Sequence, residues 1–480
     1  MTSHTARRLI SCSVLALVAG CASVGPNYKV PAQAVVQRPS ANAPFIGATG
    51  PLFNAGADAL PAQWWRLYDD PVLDRLVAQA LTANTDLRVA AANLARSRAV
   101  EQEIGAAGRP AVNVNAAPAY GRASAAAKGL PQPLAAGWSV DAGIGVSYQV
   151  DLFGKIARAV EAAGADTQAA QAALDLVRIT VAADTARAYA DACSATRQTA
   201  VAQQSVELQR QFVDLTDKRT RAGRGTALDG TRARGQLAQL QAALPPLQAQ
   251  HRTAEYRLAA LTGQTPREMD LRLACQSAPK LATALPVGDG VALLRRRPDI
   301  RQAERNLAGS TARIGLATAD LYPSISLGLS AGSSGALERL GAANATRWSL
   351  GPLISWTLPS AGTRSRIVEA QAGADAALAR FDGSVLNALK EVESALTVYA
   401  REMERNAALT TARDESALAS KQSHELYRYG RLDFLTVLDA DRTLAAADAA
   451  AAASSGQLAA DQVAVFLALG GGWEEGAGAP

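Results

Sequence analysis

Histidine and methionine each occur only three times in 480 residues, and cysteine four times. So few donors leave little for a metal centre or for His- or Cys-based nucleophilic chemistry. The chain is therefore not expected to be an enzyme, and no cofactor or metal is expected. Aromatic residues are scarce at 5%, although 49% of the chain is hydrophobic, because alanine supplies much of that share. Such a composition suits slender, closely approaching helices better than bulky globular cores. With 19% charged residues, it also excludes a disordered chain. Lysine is rare, and the 48 basic side chains are scattered among 43 acids for a net charge of +5. No concentrated basic face of the kind that grips nucleic acid is present.

Long apolar runs are missing as well. The run from Leu9 to Ala19 is half the roughly 20 residues that a spanning helix needs, and Val463 to Leu469 is shorter still. Any membrane-crossing part must then be β. What Leu9 to Ala19 does resemble is the core of a secretory signal, preceded by Arg7 and Arg8. It ends in Val18-Ala19-Gly20-Cys21, which fits the bacterial lipobox. Cleavage after Gly20 would leave Cys21 as an acylated N-terminus, and several acyl chains on one residue anchor firmly. Ala22 follows where an aspartate often retains lipoproteins at the inner membrane, so the outer membrane is expected. Cys193 and Cys275 would reside in the oxidising periplasm, either joined or as two buried thiols.

Period-two patterning is unusually long. Between Gly137 and Gly154, Trp138, Val140, Ala142, Ile144, Val146, Tyr148, Val150 and Leu152 alternate with Ser139, Asp141, Gly143, Gly145, Ser147, Gln149 and Asp151. Val112, Val114 and Tyr120 alternate with small and polar residues upstream. Ile325, Leu327 and Leu329, then Trp348, Leu350, Ile354 and Trp356, do so downstream. One apolar face with aromatics towards its ends and one small polar face is the pattern of an outer-membrane barrel. Four strands cannot close a barrel, since about eight is the smallest number known, and open edges are not tolerated in lipid. Several chains must therefore pool their strands, and three chains give twelve.

Between the hairpins the apolar period becomes helical. No proline interrupts 155–221, a stretch of about 100 Å at 1.5 Å per residue. Its apolar positions include Leu174, Val177, Val181, Leu208, Phe212 and Leu215. A second seam runs Val385, Leu389, Val392, Leu396, Tyr399, Met403, and a third runs Leu237, Leu240, Leu244, Leu247, His251, Ala254, Leu258, Leu261. Steps of three and four predict coiled-coil packing. His251 reads as a core residue, and Pro245-Pro246 should break the third helix.

The chain also repeats itself. Arg158-x-Val160-Glu161-Ala162 returns as Arg366-x-Val368-Glu369-Ala370, Tyr189-Ala190 as Tyr399-Ala400, and Leu228-Asp229-x-x-Arg232 as Leu438-Asp439-x-x-Arg442, at offsets of 208 and 210. The organisation that follows is a signal peptide at 1–20 and a lipidated N-terminal segment at 21–65. A first repeat spans 66–285 with its β-hairpin at 110–153, and a second spans 286–470 with its β-hairpin at 323–358. A tail occupies 471–480. The helical turns near Gly223 and Gly430 are expected far from the membrane. Arg295-Arg296-Arg297 precedes a proline suited to a helix start and does not imply nucleic acid. The pairs Glu391/Glu393 and Glu402/Glu404 are two apart, do not face each other on a helix, and read as solvated.

Many short motifs, in order, resemble the outer-membrane efflux protein (TolC-like) family in its lipid-anchored branch. They include Cys21-x-x-x-Gly25-Pro26-x-Tyr28, Trp64-Trp65, Asp70-Pro71, Asn84-x-Asp86-Leu87, Gln149-Val150-Asp151-Leu152-Phe153-Gly154, Leu261-Thr262-Gly263, Arg297-Pro298-Asp299, Tyr322-Pro323, Tyr427-x-x-Gly430, Val437-Leu438-Asp439-Ala440 and Gly470-Gly471-Gly472-Trp473. The resemblance implies a mixed α/β membrane protein. A homotrimer would close a twelve-stranded transmembrane β-barrel continuing into a long periplasmic α-helical coiled-coil barrel. It also implies a passive trimeric conduit of a tripartite system, exporting drugs or other small toxic compounds. Its partners would be a periplasmic adaptor (membrane fusion) protein, an inner-membrane pump, proton-driven, and outer-membrane lipid, with no nucleic acid. Asp439 and Asp229 fall on gate and selectivity positions, while Tyr427, Gly430 and Gly223 fall at the tip turns. Thr436 stands where a second acidic ring residue occurs in the family, and Leu358 to Gly362 departs from its usual strand-to-helix corner. A type I protein-secretion conduit and a lipid-anchored periplasmic coiled-coil scaffold or adaptor are the alternatives.

Overall fold

In a computed structural model, the described residues are 23–48, 53–54, 61–126, 129, 131–268, 275, 277–281, 285–358 and 360–471. The signal sequence, Cys21 and Gly472-Trp473 lie outside them. In chain order the strands are β1 (Phe53–Asn54), β2 (Ala111–Gly121), β3 (Gly137–Val150), β4 (Leu285–Pro286), β5 (Ser324–Ala336) and β6 (Thr346–Ser355). The α-helices are α1 (Pro71–Ala83), α2 (Thr85–Ala106), α3 (Lys155–Arg221), α4 (Ala227–Ala242), α5 (Leu244–Leu261), α6 (Gly290–Arg296), α7 (Pro298–Ala319), α8 (Ala361–Arg428) and α9 (Phe434–Ala468). Two compact units share these elements. One is built on Asn93–Gln171 and Gln302–Phe381, the other on Ala32–Ala92, Ala172–Arg301 and Asp382 onwards.

In the first unit the four long strands form one antiparallel sheet in the order β2-β3-β5-β6. Proline lacks the N–H that a ladder needs, and the two prolines of the sheet, Pro118 and Pro352, sit on the edge strands β2 and β6. Below the sheet, Asp151 caps α3 by accepting the N–H groups of Ile156 (2.9 Å) and Ala157 (2.8 Å). Phe153 stacks on Tyr322 at 4.6 Å, so the corners that leave β3 and enter β5 support each other. The buried Arg158 donates to the carbonyls of Val24 (3.0 Å) and Gly25 (3.1 Å) and to Asn27 Oδ1 (2.8 Å). Segment 24–27 is thereby held against the start of α3.

The second unit is helical, and its motifs meet in pairs. Trp64 stacks on Phe466 at 4.5 Å, and both are fully buried. Asp70 caps α1 through Val72 N–H (2.9 Å) and Leu73 N–H (3.1 Å) and accepts the Tyr189 hydroxyl at 2.8 Å. Asn84 caps the start of α2 and donates from Nδ2 to Leu261 O at 3.1 Å. Phe53–Asn54 pairs in parallel with Leu285–Pro286, tying the N-terminal segment to the link between the repeats. Cys193 and Cys275 are joined in a disulfide. That resolves the choice left open between a bridge and two buried thiols.

Seam residues face inward as their spacing predicts. Val385, Val392, Leu396 and Tyr399 are buried, as are Leu174, Val181 and Phe212, whereas Leu208 is exposed. The third seam is interrupted at Ala243, where α4 ends and α5 begins with Pro245 and Pro246 in its first turn. His251 is half-buried, with Nδ1 3.6 Å from Glu255 Oε2. The expectation of solvated glutamates holds for Glu391 and Glu404, which are exposed, and needs correction at Glu393 and Glu402. Glu391 accepts from the buried Arg297 at 2.7 Å, and Glu393 accepts the N–H groups of Ile46 (2.7 Å) and Gly47 (2.8 Å). Glu402 accepts from Ser454 at 2.5 Å. Residues two apart on a helix do point in different directions, but here each finds a different partner.

Arg297 shows why Arg297-Pro298-Asp299 occurs as a block. Its guanidinium grips both oxygens of Asp299 (3.0 and 2.6 Å) and donates from Nη1 to Ala468 O at 2.9 Å. A planar fork meets all these acceptors at once, which an ammonium group cannot do.

Candidate functional site

The two helical turns singled out in the sequence are built alike. Gly223 and Gly430 adopt φ of +70° and +71°, the left-handed conformation that ends a helix most cheaply in glycine. At the first, Arg224 N–H returns to Arg219 O (2.9 Å); at the second, Arg431 N–H returns to Leu426 O (2.9 Å). Three residues after each glycine a cap starts the next helix. Thr226 and Asp229 form a reciprocal capping box over 3.3 and 3.0 Å. Asp433 accepts the N–H (3.0 Å) and the hydroxyl (2.7 Å) of Thr436. The Thr436 hydroxyl is the main reason the Asp433 carboxyl sits below the usual carboxylate range.

Cap geometry changes the pairing of the two gate candidates. Asp229 is the third residue after its N-cap, the place that Thr436 occupies in the second turn, while Asp439 stands one helical turn further on. The Leu-Asp motif matches them at an offset of 210, but the caps match at 207. This also accounts for Thr436, which serves its own cap. Asp229 is half-buried with its carboxylate on a backbone N–H, whereas Asp439 is exposed.

Both turns rest on one apolar cluster of Phe212, Ala233, Tyr427, Phe434, Val437 and Leu438. Arg219 lies over the Tyr427 ring at 4.1 Å and donates to Tyr427 O at 3.3 Å. Nearby, Asp441 accepts from Ser420 (2.7 Å) and lies 2.9 Å from His424 Nε2. The structure thus brings Tyr427 into the same cluster as the helix carrying Asp439. Arg219, Asp433 and the His424–Asp441 pair were not singled out in the sequence, and Phe212 was read there only as a helix-seam residue. The spacing Asp433-x-x-Thr436 before an apolar run was the readable signal for the cap.

In the sheet, Val114, Trp138, Ile144, Trp348, Leu350 and Ile354 present an exposed apolar face. Such a face is stable only against lipid or another chain. Among the described residues, no helix is long and apolar enough to cross a membrane, and no group of three or more His, Cys, Asp or Glu is placed to hold a metal ion.

A family model described as "Outer membrane efflux protein" matches residues 76–264 and 291–471, one block in each repeat. The chain belongs to the outer membrane efflux protein family. It is 31% identical over 471 residues to outer membrane protein OprJ of Pseudomonas aeruginosa, covering 97% of this chain and 96% of that one. It is 30% identical over 461 residues to nodulation protein T of Rhizobium leguminosarum bv. trifolii, covering 95% and 96%. Among solved structures, the outer-membrane channel OprN superposes with a TM-score of 0.87 at 36% identity, covering 94% of this chain and all of that one. Membership of this efflux family makes the chain an outer-membrane channel protein, with four strands and a long helical region per chain.

Proposed function

We propose that the chain is the outer-membrane conduit of a tripartite efflux system, passing small toxic molecules outward without chemistry of its own. The observation that carries this is the four-stranded sheet. It has one apolar face, one small polar face and two unpaired edges, and three copies would close it into twelve strands around water. Acylation of Cys21 would anchor each chain beside the barrel. A periplasmic adaptor and a proton-driven inner-membrane pump would engage the helical turns and supply the energy. Asp439, exposed one turn into its helix, would form the acidic ring of the resting constriction. Asp229 contributes less, because its carboxylate is engaged in a cap.

The test is accumulation of a fluorescent efflux substrate in cells lacking their own outer-membrane channel but retaining pump and adaptor. Expression of the full chain should lower accumulation and yield heat-resistant trimers in the outer-membrane fraction. Folded outer-membrane trimers that leave accumulation unchanged would count against small-molecule efflux and favour protein secretion. Release of the protein as a soluble species by Cys21→Ser would favour the scaffold instead.

A further inference from the structure

Asp141 and Arg347 are the only charged residues in the four long strands. Both lie on the polar face, two strands apart, near the end of the sheet that carries the β2–β3 and β5–β6 loops. Strand register aligns Asn115, Gly143, Gly332 and Arg347 in one row across β2, β3, β5 and β6. The two middle positions bear no side chain, and a Cβ at Gly332 would lie 2.5 Å from Ala142 O. Over this bare floor Arg347 Nη2 reaches Asp141 Oδ1 at 2.6 Å, and Asn115 Nδ2 reaches the same oxygen at 3.1 Å. The guanidinium therefore lies across the strand between them rather than projecting from the sheet.

Stability does not explain this pair. Its side chains are 56% and 35% exposed, and exposed ion pairs contribute about 0–1 kcal/mol. The electric field does explain it. We infer that Asp141 and Arg347 form a charge-compensated belt in the barrel lumen and set its indifference to the sign of a permeant's charge. The inference rests on the conduit reading, in which three chains bring three such pairs to one height. Without Asp141, three guanidinium groups would ring the lumen, and without Arg347, three carboxylates would. Rings of one sign select the opposite ion.

The experiment measures reversal potentials under a KCl gradient for full-length trimers in planar bilayers, as wild type, Asp141→Asn, Arg347→Gln and the double variant. Each is also made with Asp439→Ala, so that a narrow tip does not mask the barrel, and heat-resistant trimers on gels verify folding. Asp141→Asn should shift selectivity towards anions and Arg347→Gln towards cations, and the double variant should return to its parent. Conducting single variants that keep the parent's reversal potential in both backgrounds would overturn the inference, as would two single variants shifting the same way. Folded trimers that pass no current in any form would remove the conduit reading and this inference with it.

Discussion

Phe212 and Phe434 stack with ring centroids 5.4 Å apart and planes inclined by 10°, although they come from opposite halves of a duplicated chain. Each belongs to a different helical hairpin, so the stack joins the two turns into one body. Tyr427, Val437 and Leu438 close around it, and Arg219 covers Tyr427 from the first repeat. Asp439 follows Leu438 directly, so its position depends on that core.

Replacing Phe434 by alanine should loosen the two turns together. Burial lost in a Phe→Ala change costs about 3–5 kcal/mol, a penalty that falls here on one small cluster. Hydrogen exchange should rise both near 212–233 and near 427–438, while exchange in the strands stays unchanged. Faster exchange at only one of the two turns would contradict the shared core.

A second prediction concerns the bridge between Cys193 and Cys275, which closes 82 residues of sequence. Loops of that length lose about 2–4 kcal/mol of stability when the link is removed. A Cys193→Ala/Cys275→Ala variant should unfold at lower temperature than wild type. Reductant should lower the wild-type midpoint and leave the variant's unmoved; equal midpoints for all samples would contradict a stabilising bridge.

Burial raises the pKa of Asp461 in α9, where Gln457 supplies a 2.8 Å hydrogen bond and the other carboxylate oxygen has no partner. An acid with a raised folded pKa destabilises the fold when ionised, and that cost shrinks as pH falls below the folded value and is gone below the unfolded one. Asp461→Asn should therefore raise the unfolding temperature at pH 7.5, and the gain should shrink on acidification. A gain that stays the same size from pH 7.5 down to below the ordinary carboxylate pKa of about 3.9 would show that the effect lies in packing rather than charge.

Much of this was legible in the sequence because period and punctuation act locally. Alternation marked all four long strands, steps of three and four marked the seams, and Gly223 and Gly430 marked the turns. Pairings across the chain were less legible. Glu393 receives N–H groups from residues 46 and 47, and nothing near it in sequence announces that. Arg158 and Arg366 occupy the same repeat motif, yet Arg158 is buried under segment 24–27 while Arg366 is exposed, 3.5 Å from Asp320. Duplication preserved the residue, but among the described residues the N-terminal segment covers Arg158 and leaves Arg366 exposed. The match of Asp229 with Asp439 had a similar limit, because motif spacing cannot show which residue follows a cap by three and which by six.

The most direct measurement is single-channel conductance of the purified, lipidated protein in planar bilayers beside its Asp439→Ala variant. A trimeric conduit held nearly shut by a ring of Asp439 predicts small, cation-selective currents from the wild type. It predicts larger, less selective currents from the variant. Identical conductance and selectivity in both would contradict Asp439 as the constriction, and folded trimers that pass no current in either form would contradict the channel itself.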